Sequence, residues 1–241
     1  MKKKIEILYQ DEDIIIVNKP APLLSISDRY DPSKYNLQEY LNKNFGQVFV
    51  VHRIDKETSG VMVFAKNEQA HANLSQQFEN RKVQKIYFAL VSGRMSQESG
   101  IIDKPIAHSQ SGVHKMVIAN KGKRSITHFK VLEYFKSYSL LEVDLKTGRT
   151  HQIRVHFNAI GYPLAIDKLY AKKTEFFLSD VKRKKYRIGK DKEERPLMTR
   201  HSLHSRSLSF EHPTTKEKMT FIADLPKDFR AVLSQLRKWG N

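Results

Sequence analysis

Apolar residues in this chain gather in short runs separated by polar turns, and the spacing of each run predicts an element. Ile5–Tyr9 and Ile14–Val17 flank Asp11-Glu12-Asp13, which predicts two strands around a turn. Asn18-Lys19-Pro20 closes the second strand, because proline has no N–H to give to a ladder. Leu37–Leu41 predicts a short helix. Val61–Ala65, following Thr58-Ser59-Gly60, predicts a buried strand. Asn67 then suits a helix N-cap, with Ala70, Leu74 and Phe78 on one face at four-residue spacing. Val83–Val91 predicts a strand ended by Ser92-Gly93, and Thr127–Leu132 with Ser139–Leu145 an antiparallel pair. After the turn at Lys146-Thr147-Gly148, Thr150 suits an N-cap. Ile153, Phe157 and Ile160 then form a helical face that Gly161 and Pro163 terminate. Ser207–Phe210 and Met219–Ile222 around His212-Pro213-Thr214-Thr215 predict a hairpin. Asp228–Trp239 predicts a last helix with Phe229, Val232, Leu233 and Leu236 inward.

Strands interspersed with helices, without regular alternation, predict an α+β fold with a mixed, mainly antiparallel sheet flanked by helices. There is no internal repeat and no Gly/Ser-rich linker, so residues 1–241 are expected to form a single domain. One segment stands apart. Residues 180–196 hold eight Lys/Arg and four Asp/Glu with few apolar residues. The whole 171–200 stretch therefore reads as an exposed basic insertion, either a solvated loop or an RNA-contacting arm.

Composition narrows the chemistry. Hydrophobic residues at 39% in a 241-residue chain can build a core without staples, which excludes disordered and low-complexity classes. The absence of cysteine removes disulfides, thiolate catalysis, Cys-ligated zinc and iron–sulfur clusters. No apolar run approaches the ~20 residues that span a bilayer. Acidic residues interrupt the start of the chain before any signal-peptide core forms, so a cytoplasmic location is expected. The net charge of +17 sets up a positive field that recruits polyanions, nucleic acid first among them. No Gly-x-Gly-x-x-Gly or P-loop signature is present, which disfavours dinucleotide and ATP enzymes.

Two segments carry candidate chemistry. In Val51-His52-Arg53-Ile54-Asp55-Lys56-Glu57-Thr58-Ser59-Gly60, an extended backbone puts Arg53 and Asp55 on one face and His52 and Ile54 on the other. On spacing alone such a pair is an ordinary surface ion pair. In Lys146–His156, Arg149, His151, Arg154 and His156 crowd a loop and the first turns of a helix, where free N–H groups and guanidinium forks attract phosphate. His151 and His156 lie five residues apart, which does not align them for a metal, and no metal is expected.

His52-Arg53-Ile54-Asp55 with Thr58-Ser59-Gly60 closely resembles the catalytic motif of the RluA family of pseudouridine synthases. Asn18-Lys19-Pro20, Gln84-Lys85-Ile86-Tyr87, Thr147–His156, and Leu203-His204 with His212-Pro213 follow in the order that family shows. The resemblance runs from about residue 5 to about 225. It implies a pseudouridine synthase fold with a central active-site cleft. It also implies cofactor-free conversion of a uridine in RNA to pseudouridine, with the base flipped out of its stack. The family's aspartate maps onto Asp55, which would act on the sugar or the ring as nucleophile or base. Its active-site basic residue maps onto Arg154 and its tyrosine onto Tyr87. The arginine that fills the vacated base position maps onto Arg53, and an apolar residue under the uracil onto Leu203. Arg149 joins these as a substrate-binding candidate. Arg154 beside Asp55 would hold the carboxylate ionised. Lys19 reads equally as structural or phosphate-contacting, and His204 as a buried hydrogen-bonding histidine.

The sequence departs from the family pattern at Ile54, where leucine is usual, and at Ile166, where glycine is usual before Asp167. The motifs begin almost at Met1, which leaves no room for an N-terminal S4 RNA-binding module. The expected substrate is a stem-loop of large-subunit rRNA or, second, tRNA, bound by a monomer. A non-catalytic RNA-binding or ribosome-assembly factor on the same fold is the alternative. A two-carboxylate glycosidase fits less well, because only Asp55 sits in a convincing position.

Overall fold

In a computed structural model, residues 5–110, 115–182 and 193–240 are described. The chain begins with β1 (Glu6–Gln10), β2 (Ile14–Lys19), α1 (Leu37–Phe45), β3 (Phe49–Val50), β4 (Ser59–Ala65) and α2 (Glu68–Glu79). It continues with β5 (Gln84–Ser92), β6 (Ser99–Asp103), β7 (Ile106–His108), β8 (Met116–Ile118), β9 (Ile126–Tyr134) and β10 (Tyr138–Leu145). Then come α3 (Gln152–Ala159), α4 (Ser179–Lys182), β11 (Leu203–Glu211), β12 (Lys218–Ile222) and α5 (Lys227–Trp239). The fold is α+β with a mixed, mainly antiparallel sheet, as the pattern of strands and helices predicts. No helix among the described residues is long and apolar enough to cross a membrane.

The chain divides into two compact units without any linker in its composition. The first comprises residues 1–87 with 204–224, the second residues 88–203 with 225–241.

In the first unit, β1 and β2 form the expected hairpin, Glu6 opposite Asn18 and Gln10 opposite Ile15. Asp11 shapes its turn by accepting from the amides of Asp13 and Ile14, both at 2.8 Å. Antiparallel to β2 runs β4, Ile14 opposite Ala65 and Lys19 opposite Gly60. Its other edge is shared, because Phe64 and Ala65 take β3 while Ser59 and Gly60 take β11, the latter in parallel. All seven residues of β4 are buried, which is why its sequence is a continuous apolar run and not an alternation. Ile14, Ile16, Val61, Val63 and Ala65 pack with Ala70 and Leu74 of α2, and with Leu208 and Phe210 of β11. Asn67 caps α2 as expected, its side chain accepting from Ala70 N. The β11–β12 hairpin pairs Ser207 with Ile222 and Glu211 with Lys218.

In the second unit, β10 pairs antiparallel with β9 and β9 with β6. A core of Leu90, Phe135, Tyr138, Leu140, Phe176 and Met198 receives the apolar face of α5. Two readings of this unit need correction. Thr150 is not the cap of α3: His151 is, in the left-handed region at φ 55° and with no side-chain cap bond. In α3 itself Gln152, Arg154 and His156 are buried beside Ile153, Val155 and Phe157. The 171–200 stretch is not exposed throughout either. Phe176 bridges to Met198, and both are buried along with Arg200, which binds Asp228 at 2.6 and 2.9 Å. Residues 183–192 of that segment lie outside the described residues.

Candidate functional site

Asp55, Arg53 and Tyr87 belong to the first unit, and Arg149, Arg154 and Leu203 to the second. Residues 51–55 join no ladder. Within it Arg53 is exposed, Ile54 buried, and His52 and Asp55 half-buried.

This segment is fixed from behind by its neighbours. The Ser25 hydroxyl donates to Ile54 O at 2.7 Å and receives the Ile54 amide at 3.3 Å. The amide of Leu23 donates to Lys56 O at 3.0 Å, and that of Thr58 to Asp55 O at 3.0 Å. Lys19 is fully buried, and its ammonium donates to Leu23 O at 2.6 Å, Lys56 O at 3.2 Å and Pro20 O at 3.3 Å. Lys19 is therefore structural, tying the residue after Asp55 to the loop that follows β2. On the other side, the His52 ring stacks on Phe78 with centroids 4.7 Å apart. Its Nε2 accepts from Val63 N at 3.1 Å, so that nitrogen carries no proton. Burial, followed by the charge of Lys85, pushes the His52 pKa down to about 3, and the ring stays neutral.

Gly60 closes the motif for a steric reason. At φ 119° a Cβ here would lie 2.1 Å from Ser205 O, so only glycine lets β4 and β11 approach this closely. Beside them, His204 is fully buried, as expected, with Nε2 donating to Ala223 O at 3.1 Å and Nδ1 meeting the Ser59 hydroxyl at 2.9 Å. Tyr87 is buried, and burial pushes its pKa up to about 12. A hydrogen bond with Ser205 opposes that shift and the charge of Asp55 adds to it. The phenol therefore stays neutral beside the carboxylate.

In the second unit Arg154 is buried and held bidentately by Asp167, Nε to Oδ2 at 2.7 Å and Nη2 to Oδ1 at 3.0 Å. The amides of Leu169 and Tyr170 also donate to Asp167 Oδ1. Burial works to raise the Asp167 pKa, but the Arg154 hydrogen bond and charge outweigh it and hold the carboxyl below its ordinary value. The guanidinium also lies 5.0 Å from the Tyr170 ring centroid. The sequence names Arg154 and gives no sign of what Asp167 does for it; an isolated aspartate after the apolar Leu164-Ala165-Ile166 was the available signal.

The loop before α3 is equally fixed. Gln152 Oε1 accepts from the Thr147 hydroxyl at 2.7 Å and the Arg149 amide at 3.0 Å. Gln152 Nε2 donates to Ile126 O at 3.0 Å and to Thr127 Oγ1 at 2.9 Å. His156 is held between Thr127 Oγ1 and Lys104 O, each at 2.9 Å, and burial lowers its pKa. Arg149 is half-exposed, with Nε directed at Arg124 O. Leu203 is buried at the start of β11. Among the described residues, no group of three or more His, Asp or Glu is placed to hold a metal ion.

Comparison with known proteins gives the family. Residues 13–159 match the family model described as RNA pseudouridylate synthase. An uncharacterized RNA pseudouridine synthase of Bacillus subtilis, YlyB, is 36% identical over 250 residues, covering 98% of this chain and 74% of its own length. The ribosomal large subunit pseudouridine synthase D of Pseudomonas aeruginosa is 38% identical over 245 residues, covering 98% and 72%. Among solved structures, human RNA pseudouridylate synthase domain containing 1 superposes with a TM-score of 0.71 at 27% identity, covering 98% of this chain and 88% of that one. The human domain containing 4 gives 0.71 at 25% identity, covering 96% and 93%.

Proposed function

Since the chain belongs to the RluA family of RNA pseudouridine synthases, we propose that it isomerises a specific uridine of structured RNA with Asp55 as the catalytic carboxylate. The N1–C1′ bond breaks, the uracil turns, and a C5–C1′ bond forms. The C5 proton leaves to solvent and N1 takes one up, so the reaction balances without a cofactor.

The observation that carries this reading is the placement of Asp55. It is half-buried, on a segment fixed by Ser25, Lys19 and His52, with the neutral phenol of Tyr87 within its field. A carboxylate serving as nucleophile or base must be reachable and must not wander. The target uracil has to leave its stack first, at a cost of a few kcal/mol. Exposed Arg53 is suited to occupy the vacated position, and Tyr87 to face the everted ring. Arg154, Arg149 and Leu203 are assigned to substrate binding from the second unit, Arg154 on the support of Asp167.

Large-subunit rRNA is the first substrate of this reading, supported by the name of the Pseudomonas aeruginosa relative, and tRNA the second. Loops and bulges are the targets, because their bases can be splayed out. The protein acts as a cytoplasmic monomer in this reading. Asp55→Asn tests it directly. Tritium release from C5-labelled uridine should fall by more than about a thousandfold while RNA affinity holds. Undiminished release would overturn the assignment. Mapping pseudouridine in rRNA and tRNA from cells with and without the protein separates the two substrates.

A further inference from the structure

The C-terminal helix α5 has two faces of opposite character. Phe229, Val232, Leu233 and Leu236 are buried in the core of the second unit. Lys227, Arg230, Ser234, Arg237 and Lys238 are exposed. Their spacing of three and four residues puts them in one ridge along about 16 Å of helix. A solvated helix face ordinarily mixes both signs of charge. Here every exposed charged residue of α5 is cationic. The helix's one acid, Asp228, is taken by Arg200 at 2.6 and 2.9 Å. Arg237 is engaged by Glu133 of β9 at 2.6 and 2.8 Å, so the case rests on Lys227, Arg230 and Lys238.

At the end of the ridge sits Trp239, the chain's only tryptophan, 38% exposed. The Lys182 ammonium lies 4.3 Å from its ring centroid and that of Lys238 5.1 Å. Cations gathered around a partly exposed indole combine the two groups that hold single-stranded nucleic acid: charge for the phosphates and an aromatic ring for a base. None of these residues belongs to the Asp55 segment or the Arg154 network.

We propose that this ridge binds the sugar–phosphate backbone of the RNA substrate away from the reacting uridine, with Trp239 stacking on a base at its end. The proposal rests on the RNA-modifying function inferred above and adds to it a second contact that serves affinity and leaves the chemistry alone. The ridge accounts for part of what the +17 charge does.

The test replaces Lys227, Arg230 and Lys238 together by glutamine in the full chain. The RNA dissociation constant should rise about tenfold at physiological salt. The slope of its logarithm against log salt should become shallower by about 2 to 3, one counterion contribution per lost contact. Turnover at saturating RNA should stay at the wild-type value. Unchanged affinity and slope would overturn the proposal. So would a variant that loses adsorption to phosphatidylserine vesicles while keeping its RNA affinity, which would make the ridge a membrane contact.

Trp239 supplies a readout independent of catalysis. Its emission should be quenched by RNA in the wild type and equally in Asp55→Asn, and Trp239→Phe, which removes the only indole, should bind RNA more weakly. If no RNA is modified by the wild type yet quenching and its loss in the triple variant persist, the ridge stands and the catalytic assignment falls. If modification proceeds and RNA leaves the emission unaltered, the ridge falls and the enzyme stands.

Discussion

Asp55 and Asp167 are held in opposite ways. Asp55 is half-buried, and its position comes from the backbone around it, pinned by Ser25, Lys19 and His52. Asp167 is fully buried and spends its own oxygens on Arg154 and two amides. The carboxylate proposed to react sits on a main chain anchored from behind. One meant to position a guanidinium is consumed in doing so. Neutralising the second removes the partner of a buried guanidinium.

Asp167→Asn is the strongest challenge to that distinction. Removing one partner of a buried pair leaves an uncompensated charge, at about 3–5 kcal/mol. Urea unfolding should show that loss, whereas Asp55→Asn should leave the midpoint nearly unmoved. Equal midpoints would erase the contrast. Replacing the pair by Arg154→Met with Asp167→Leu should recover only part of the stability, because the amides of Leu169 and Tyr170 lose their acceptor, and none of the turnover, since no guanidinium remains.

Next in size, Gly60→Ala tests whether the Asp55 region depends on backbone approach. The added methyl meets Ser205 O at φ 119°, and the expected cost is about 3 kcal/mol. Wild-type stability there would show that β4 and β11 separate freely.

At neutral pH the smallest effect concerns His52. Its folded pKa lies at about 3, well below its unfolded value. Above about pH 6.5 neither state binds a proton at this ring, and it contributes no pH dependence. Below that, the unfolded chain takes one up and the folded one does not, so stability falls as pH falls, by about 1.4 kcal/mol per unit down to about pH 3. Unfolding series between pH 7 and 4 should show a shallower slope for His52→Gln than for the wild type. Identical slopes would release the Asp55 segment from this anchor.

Much of the fold was legible because local rules and tertiary packing agreed. The Asn67 cap, the apolar run of β4 and the hairpin at His212–Thr215 all occupy the places that spacing assigns. Reading failed where polar residues are buried by long-range partners. Periodicity marked Ile153, Phe157 and Ile160 as the apolar face of α3 and was silent on Arg154 and His156, which Asp167, Thr127 and Lys104 O let be interior. Thr150 has the right chemistry for a cap, yet the chain enters α3 through a left-handed His151. The residues proposed for the site are named by their resemblance to a family. Their supports are not: nothing local to Lys19 marks a buried ammonium, since its acceptors include a carbonyl 37 residues away.

The parallel pairing of Ser59 and Gly60 with His204 and Ser205 has a consequence for biosynthesis. A nascent chain that has extruded β4 must add roughly 140 further residues before the strand that completes that edge exists, on the order of ten seconds of translation. Throughout that interval the motif bearing Asp55 lacks its neighbour, while much of the second unit has already emerged. The unit that carries Asp55 is therefore finished late, and a chaperone or a slow step in its maturation would act on that open edge.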